Sequence, residues 1–302
     1  MKIKNLKLKI IFFGSSKFVI PIIEILQKNF DLALAVTTEK NPTDPIPSYC
    51  AINKIPYLSV SSFSDPELNS QLSNVNCQLA MLADFGLFIP NEILNIFPKG
   101  IINIHPSLLP KYRGPTPVQT AIINGEKETG VSIMKLDEEI DHGPIFAQEK
   151  EEILPQDTAE SLYERLFRKG AEMLPGILNK YLDGNLKPVA QNHKNATYTK
   201  HLTRQDGFID ISKIKYSPRG EAGQKSKIEI ERMMRAYYPW PSAWTKIRIK
   251  SQELRIKFLP GEKIQVEGKK PMNYKDFING YPKVGKEILT KLGLLDNPAE
   301  WD

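Results

Sequence analysis

Cysteine is almost missing from this chain, with Cys50 and Cys77 the only two in 302 residues. They offer neither a metal-ligand spacing nor a disulfide framework. A reduced, cytoplasmic setting is therefore expected. Long apolar runs are missing as well. The apolar Ile10–Phe13 follows a basic start and is broken at once by Gly14-Ser15-Ser16-Lys17. It is too short for a signal core or a membrane span, so no membrane contact is expected. The glycine patterns that cradle phosphates are also absent. Gly14 opens neither G-x-G-x-x-G nor a P-loop, which argues against a bound dinucleotide. No internal repeat or low-complexity tract is present.

What is there is an ordinary globular composition, 41% hydrophobic and 25% charged, with a net charge of +6. The length favours two domains, because single cores rarely grow beyond about 250 residues. The charge is uneven. Residues 201–302 carry 20 Lys and Arg against 13 Asp and Glu, while residues 1–200 carry 21 against 22. An excess of basic residues confined to the last third suits either a solvated lysine-rich surface or an acidic partner such as nucleic acid.

Short apolar runs alternate with helical spacings over the first part of the chain. Strands are expected at Lys9–Phe13, Leu32–Val36, Ile55–Val60 (an edge), Leu79–Ala83, Gly100–His105, Val131–Leu136 and Ile145–Gln148. Helices are expected at Phe18–Gln27, Pro90–Ile96, Thr116–Asn124 and Thr158–Tyr181, the last capped by Asp157. Asn41–Ser48, with three prolines, reads as a loop. This alternation means an α/β domain with a largely parallel sheet. The expected division is a catalytic domain over 1–188, a polar linker over 189–206, and a small β-rich domain over 207–302. In the last of these, Phe208–Ile211, Trp244–Ile249, Leu254–Leu259 and Lys263–Val266 read as strands and Ile228–Tyr237 as a helix.

The most informative stretch is Ile101-Ile102-Asn103-Ile104-His105-Pro106. Asn103 and His105 alternate along a strand, so they share a face. Pro106 ends the ladder and puts the pair at the carboxyl end of the strand, where open α/β sheets bind ligands. A lone sheet histidine is more often structural than catalytic. Here the shared face, the strand end and the stiff Pro106–Pro110 loop favour chemistry. An amide and an imidazole there can polarise a carbonyl and move a proton. Asp141, in the acidic loop Asp137–Pro144, is expected beside the same sheet end, where it would orient His105. His142 in that loop reads as exposed. Arg113 reads as an anion-binding group or as a brace for its loop, with the brace preferred.

These residues resemble the folate-dependent formyltransferase family. Asn103-x-His105-Pro-Ser-Leu-Leu-Pro with Asp141 downstream carries the likeness. So do Phe13-Gly14-Ser15-Ser16-x-Phe18, the run from Ala121 to Met134, Asp157-Thr158-Ala159 and Ala196-Thr197-Tyr198. Arg235-Ala236-x-x-Pro239-Trp240-Pro241-x-Ala243-Trp244-Thr245 and Glu267–Met272 extend it toward the branch whose acceptor is methionyl-tRNA. The likeness spans nearly the whole chain. It implies a Rossmann-like domain followed by a shortened OB-like β-barrel that binds tRNA. It implies 10-formyltetrahydrofolate as co-substrate, no metal, and initiator Met-tRNA, met at its acceptor stem, as the partner of a monomer. Asn103, His105 and Asp141 would be catalytic. Ser107, Leu108, Leu109 and Pro110, with Phe85, Gly86 and Leu87, would line the folate site. Two parts that face tRNA depart from the pattern: the segment at residues 37–47 is short, with one lysine and no arginine, and the barrel has few strands. A nucleotide-linked amino sugar as acceptor, or a catalytically inactive tRNA-binding protein, are the alternatives.

Overall fold

The computed structural model describes residues 7–39, 44–64, 66–214, 221–249 and 252–295. The chain divides into two compact units. The first takes Met1–Pro117, Glu128–Glu152 and Tyr163–Lys200, and the second takes Val118–Lys127, Ile153–Leu162 and His201–Asp302.

The first unit is built on seven strands: β1 (Lys9–Phe13), β2 (Asp31–Thr38), β3 (Tyr57–Val60), β4 (Leu79–Leu82), β5 (Gly100–His105), β6 (Glu128–Lys135) and β7 (Ile145–Glu152). They lie in the order β3-β2-β1-β4-β5-β6-β7. Pairings from β3 to β5 are parallel, and those of β6 with its two neighbours are antiparallel. Covered on both faces, the inner strands are apolar without alternation, as Ile10–Phe13, each fully buried, shows. The chain winds one way from β1 to β3 and the other way from β4 to β5. That reversal opens a crevice at the carboxyl ends of β1 and β4, next to the strand that carries Asn103 and His105.

Helices α1 (Ile20–Asn29), α2 (Ile46–Ile52), α3 (Pro66–Asn74) and α4 (Asn91–Leu94) belong to the same unit, as does most of α6 (Ala159–Leu182), whereas α5 (Pro117–Asn124) falls almost wholly in the second. Gly170 of α6 lies against β5, where a Cβ would come 2.6 Å from Ile104 Cγ2. Three expectations need correction. Residues 46–48 belong to a helix, not a loop, because Pro45 and Pro47 sit at its start, where a missing N–H costs nothing. Asp44 Oδ1 accepts from Ile46 N at 3.0 Å. Residues 40–43 of the expected loop lie outside the described residues. Helix α6 starts one residue later than expected, and its cap is Thr158: its hydroxyl accepts from Ser161 N at 3.2 Å, and Ser161 Oγ accepts from Thr158 N at 3.0 Å. Asp157 instead accepts from Leu154 N and from Ser161 Oγ. The third concerns the loop at Asp137–Pro144. Because β6 runs antiparallel to β5, Lys135 pairs with Ile102, and Leu136 N donates to Ile101 O, so the loop leaves at the start of β5 rather than at its carboxyl end.

The second unit contains α7 (Glu221–Ala236), β8 (Ala243–Ile249), β9 (Gln252–Leu259), β10 (Lys263–Val266), β11 (Met272–Asn273), α8 (Tyr274–Gly280) and α9 (Pro282–Lys291). Its four strands form an antiparallel sheet in the linear order β11-β10-β9-β8. The expected strand at Phe208–Ile211 is reduced to one bridge, Phe208 with Trp244, between two 3-10 turns. Strand alternation sends Ile247, Ile256, Phe258, Ile264 and Val266 into one core. Met234 of α7, Phe277 of α8 and Leu289 of α9 fill it. Helices thus supply apolar surface that the few strands leave to be covered.

Candidate functional site

Period-two geometry places Asn103 and His105 on one face of β5, 5% and 4% exposed. Although its loop leaves β6 at the far end of β5, Asp141 reaches both. Asn103 Nδ2 donates to Asp141 Oδ1 at 3.3 Å, and the same oxygen lies 3.5 Å from His105 Nδ1. Asp141 Oδ2 accepts from Gly114 N at 2.8 Å. Asp141 holds this position with a φ of 49°, in the left-handed region that short polar side chains tolerate best. Gly143 completes the turn, and a Cβ there would come 2.0 Å from Lys135 O.

The histidine tautomer follows from its partners. His105 Nε2 lies 3.0 Å from the Tyr112 carbonyl oxygen. A carbonyl only accepts, so Nε2 carries a proton and donates it there. Nδ1 is left as the nitrogen that can gain or lose one. It faces a carboxylate, which stabilises an imidazolium as it forms. The arrangement offers an amide donor, a proton acceptor and a fixed negative charge within a few ångströms, the set that acyl transfer to an amine requires.

The segment after β5 is bolted down. Ser107 is fully buried, its hydroxyl donates to Lys111 O at 2.7 Å, and its carbonyl accepts from Ser132 Oγ at 2.6 Å. Leu109, 3% exposed, donates from its N to Ser132 Oγ and accepts at its O from Gln148 Nε2. Leu108 and Pro110 are half-buried. On the other loop, Phe85 points into an aromatic cluster, 5.4 Å from Phe13 edge to face. Gly86, with φ 78°, has open space where a Cβ would stand. Leu87 borders a cavity of about 560 Å³ together with Phe63, Asn69, Phe88 and Glu92. Both cysteines are buried, and burial, aided at Cys50 by the Asp44 charge, pushes each thiol up to about 11. Neither is a nucleophile. Among the described residues no group of three or more His, Cys, Asp or Glu side chains is placed to hold a metal, and no helix is long and apolar enough to cross a membrane.

Gln191 and His193 escape the sequence reading, whereas Arg113 reads there as a brace. Arg113 is 1% exposed. It gives Nη2 to Gln191 Oε1 at 2.7 Å and Nη1 to Tyr198 OH at 3.1 Å. Gln191 Nε2 in turn donates to the carbonyls of Asp141 and Gly143, at 2.8 and 2.7 Å. Arg113 is thus a brace, acting through a glutamine rather than on carbonyls directly. The polar residues 191–199 are stitched to the loop after β5, with Arg113 N donating to Thr197 O and Thr199 N to Arg113 O. The likeness at Ala196-Thr197-Tyr198 was the one sequence signal for this contact. His142 is half-buried rather than exposed, because its ring stacks on His193. Replacing Arg113 by Met leaves Gln191 Oε1 buried without its charged donor. Chemical denaturation is expected to show a loss of about 1–3 kcal/mol.

The sequence signature described as "Formyl transferase" matches residues 8–178. The chain is 38% identical to the methionyl-tRNA formyltransferase of Chloroflexus aurantiacus, over 82% of this chain and 79% of that one. It is 33% identical to that of Koribacter versatilis, over 94% and 99%. In fold it is similar to a 4-N formyltransferase from Francisella tularensis, with a TM-score of 0.65 at 20% identity, covering 85% of this chain and 99% of that one.

Proposed function

The chain belongs to the formyl transferase family, among its methionyl-tRNA formyltransferases, and on that premise we propose that it transfers a formyl group from 10-formyltetrahydrofolate to the α-amino group of methionyl initiator tRNA. The observation that carries the chemistry is the meeting of Asn103, His105 and Asp141 through one carboxylate oxygen. The folate supplies the formyl group on a nitrogen that leaves once the amine has attacked. Asn103 Nδ2 is the donor to the formyl oxygen as negative charge gathers on it. Its bond to Asp141 is long and is exchanged for this one without moving the strand. His105 Nδ1 takes the proton of the attacking amine and passes one to the departing nitrogen. Asp141 holds the imidazole in register and balances its charge. The near-complete burial of Asn103 and His105 keeps water from competing for the formyl group. Ser107–Pro110 form a rigid wall of the folate site, and Gly86 and Leu87 supply the other side.

The second unit supports tRNA as the acceptor. On β8 and β9, Lys246, Arg248, Arg255 and Lys257 alternate with core residues and so share the outer face of the sheet. Arg255 lies over the Trp244 ring at 5.3 Å. These cations hold phosphates. The KM for Met-tRNA is therefore expected to rise steeply with salt, and Arg248→Ala or Lys257→Ala is each expected to reduce the salt slope by about one, with the KM for folate unchanged. A slope that no substitution alters defeats this surface assignment. The reading takes the protein as a cytoplasmic monomer. A nucleotide-linked amino sugar is the second candidate acceptor, favoured by the short, arginine-free segment at residues 37–47. Supplying each acceptor with the same donor decides between them, since only the true one is formylated at a rate that saturates.

A further inference from the structure

Three of the chain's four histidines gather around the Asp141 loop, and two of them have no part in the reaction described above. The rings of His142 and His193 stack with centroids 4.0 Å apart and 10° from parallel. His142 Nδ1 lies 2.7 Å from Asp137 Oδ2, and its Nε2 lies 3.8 Å from Glu139 Oε1. An ionised carboxylate only accepts, so His142 donates from Nδ1. The other ring has the opposite polarity. His193 Nδ1 lies 2.8 Å from Arg113 Nη2. A guanidinium only donates, so His193 accepts at Nδ1 and carries no proton there. That Arg113 nitrogen also serves Gln191, which holds the carbonyls of Asp141 and Gly143. A continuous set of hydrogen bonds thus runs from an imidazole lone pair to the backbone of the site carboxylate.

We propose that His193 is a positioning residue, holding Asp141 in place through Arg113 and Gln191 only while its Nδ1 is unprotonated, so that the stacked pair makes the site acid-sensitive. This rests on the reading of Asp141 as the site carboxylate. A proton on Nδ1 turns an acceptor into a donor that faces a donor. It also places a positive charge against Arg113 and over His142. Asp137 and Glu139 face His142, while the group facing His193 Nδ1 is the Arg113 guanidinium, which a proton there meets at close range. Arg113 is buried but His193 is exposed, so a protonated His193 ring turns away into solvent and leaves Arg113 Nη2 without its second acceptor. Arg113 keeps its bond to Tyr198 OH and the longer one from Nε to Gln191 Oε1 at 3.3 Å, so its hold on Gln191 loosens without breaking, and Gln191 is what fixes the 141–143 backbone.

The full-length chain labelled with 15N-glycine tests this directly. Gly114 N donates to Asp141 Oδ2, so its amide resonance reports the position of that carboxylate. In the native protein the Gly114 signal is expected to move together with the His193 ring signals between about pH 8 and pH 5, where imidazoles change charge. In His193→Gln, whose amide oxygen still accepts from Arg113 but takes no proton, that component disappears. The fall in kcat between about pH 7.5 and 5.5 then becomes up to roughly tenfold shallower, the effect of one required deprotonation fewer. His201→Gln, at an exposed residue outside the network, behaves as the native chain. His193→Asn, whose amide oxygen hangs from Cγ as Nδ1 does, also accepts from Arg113 and takes no proton. That variant carries the test if His193→Gln does not fold. A Gly114 titration identical in the native chain and in whichever of the two His193 variants folds overturns the proposal. Normal formyl transfer alongside such indifference overturns it alone. Coupling of Gly114 to His193 in a chain that transfers no formyl group supports the positioning and refutes the function.

Discussion

Asn103→Ala is expected to lower kcat for formyl transfer by about 10²–10³-fold, the cost of removing one oxyanion donor from a preorganised site. The loss falls on kcat because the bond in question strengthens only as charge develops on the formyl oxygen. KM for either substrate changes little by comparison. The resting structure makes the case specific. Asn103 Nδ2 already has an acceptor, Asp141 Oδ1 at 3.3 Å, so the amide is aimed before any substrate arrives. The side chain is 5% exposed, and its donor strength is undiminished by competing water. Steady-state kinetics with Met-tRNA as acceptor check this, and turnover of the alanine variant within a few-fold of the native chain removes Asn103 from the mechanism.

Asp141→Asn has the second large effect, a fall in kcat of about 10²–10⁴-fold with nearly unchanged stability. Asparagine tolerates the left-handed backbone at this position, where φ is 49°. Its carbonyl oxygen still accepts from Gly114 N. What fails is the other corner. An amide there brings no negative charge to His105 Nδ1, and if its nitrogen takes the Oδ1 place it meets Asn103 Nδ2 donor to donor. The imidazolium then forms without its counter-charge. Asp141→Ala adds the strain of a left-handed alanine, about 1–2 kcal/mol, so that variant is both inactive and less stable. Comparing the melting points and kcat of the two variants separates the electrostatic part from the structural part. Full activity in Asp141→Asn dismisses the carboxylate.

The two strand residues of the site were readable because a strand has only two faces. Once Gly100–His105 is recognised as a strand, Asn103 and His105 must point the same way. Asp141 was readable as a partner but not by its route. The expectation put its loop at the carboxyl end of β5, whereas the antiparallel direction of β6 starts the loop at the opposite end and the chain must turn back to reach Asn103. Strand direction is a long-range pairing choice, and nothing within Glu128–Lys135 encodes it. Helix α2 was hidden by prolines that are harmless in a first turn. Helix α3 was not picked out at all, since Pro66–Asn74 is mostly polar and shows a weak apolar stripe.

The α/β alternation, the shared face of Asn103 and His105, and the confinement of excess positive charge to the last third are all legible in the sequence alone. All of these depend on periodicity or composition, which are local. Only the tertiary structure decided that Asp141 bridges the amide and the imidazole, that a buried Arg113 acts through Gln191 to hold that bridge, and that His142 and His193 stack beside it. Those contacts join residues 36 to 78 positions apart. Their hydrogen-bonding groups are ordinary polar side chains until the fold removes the water around them, and it is that removal which makes their geometry matter.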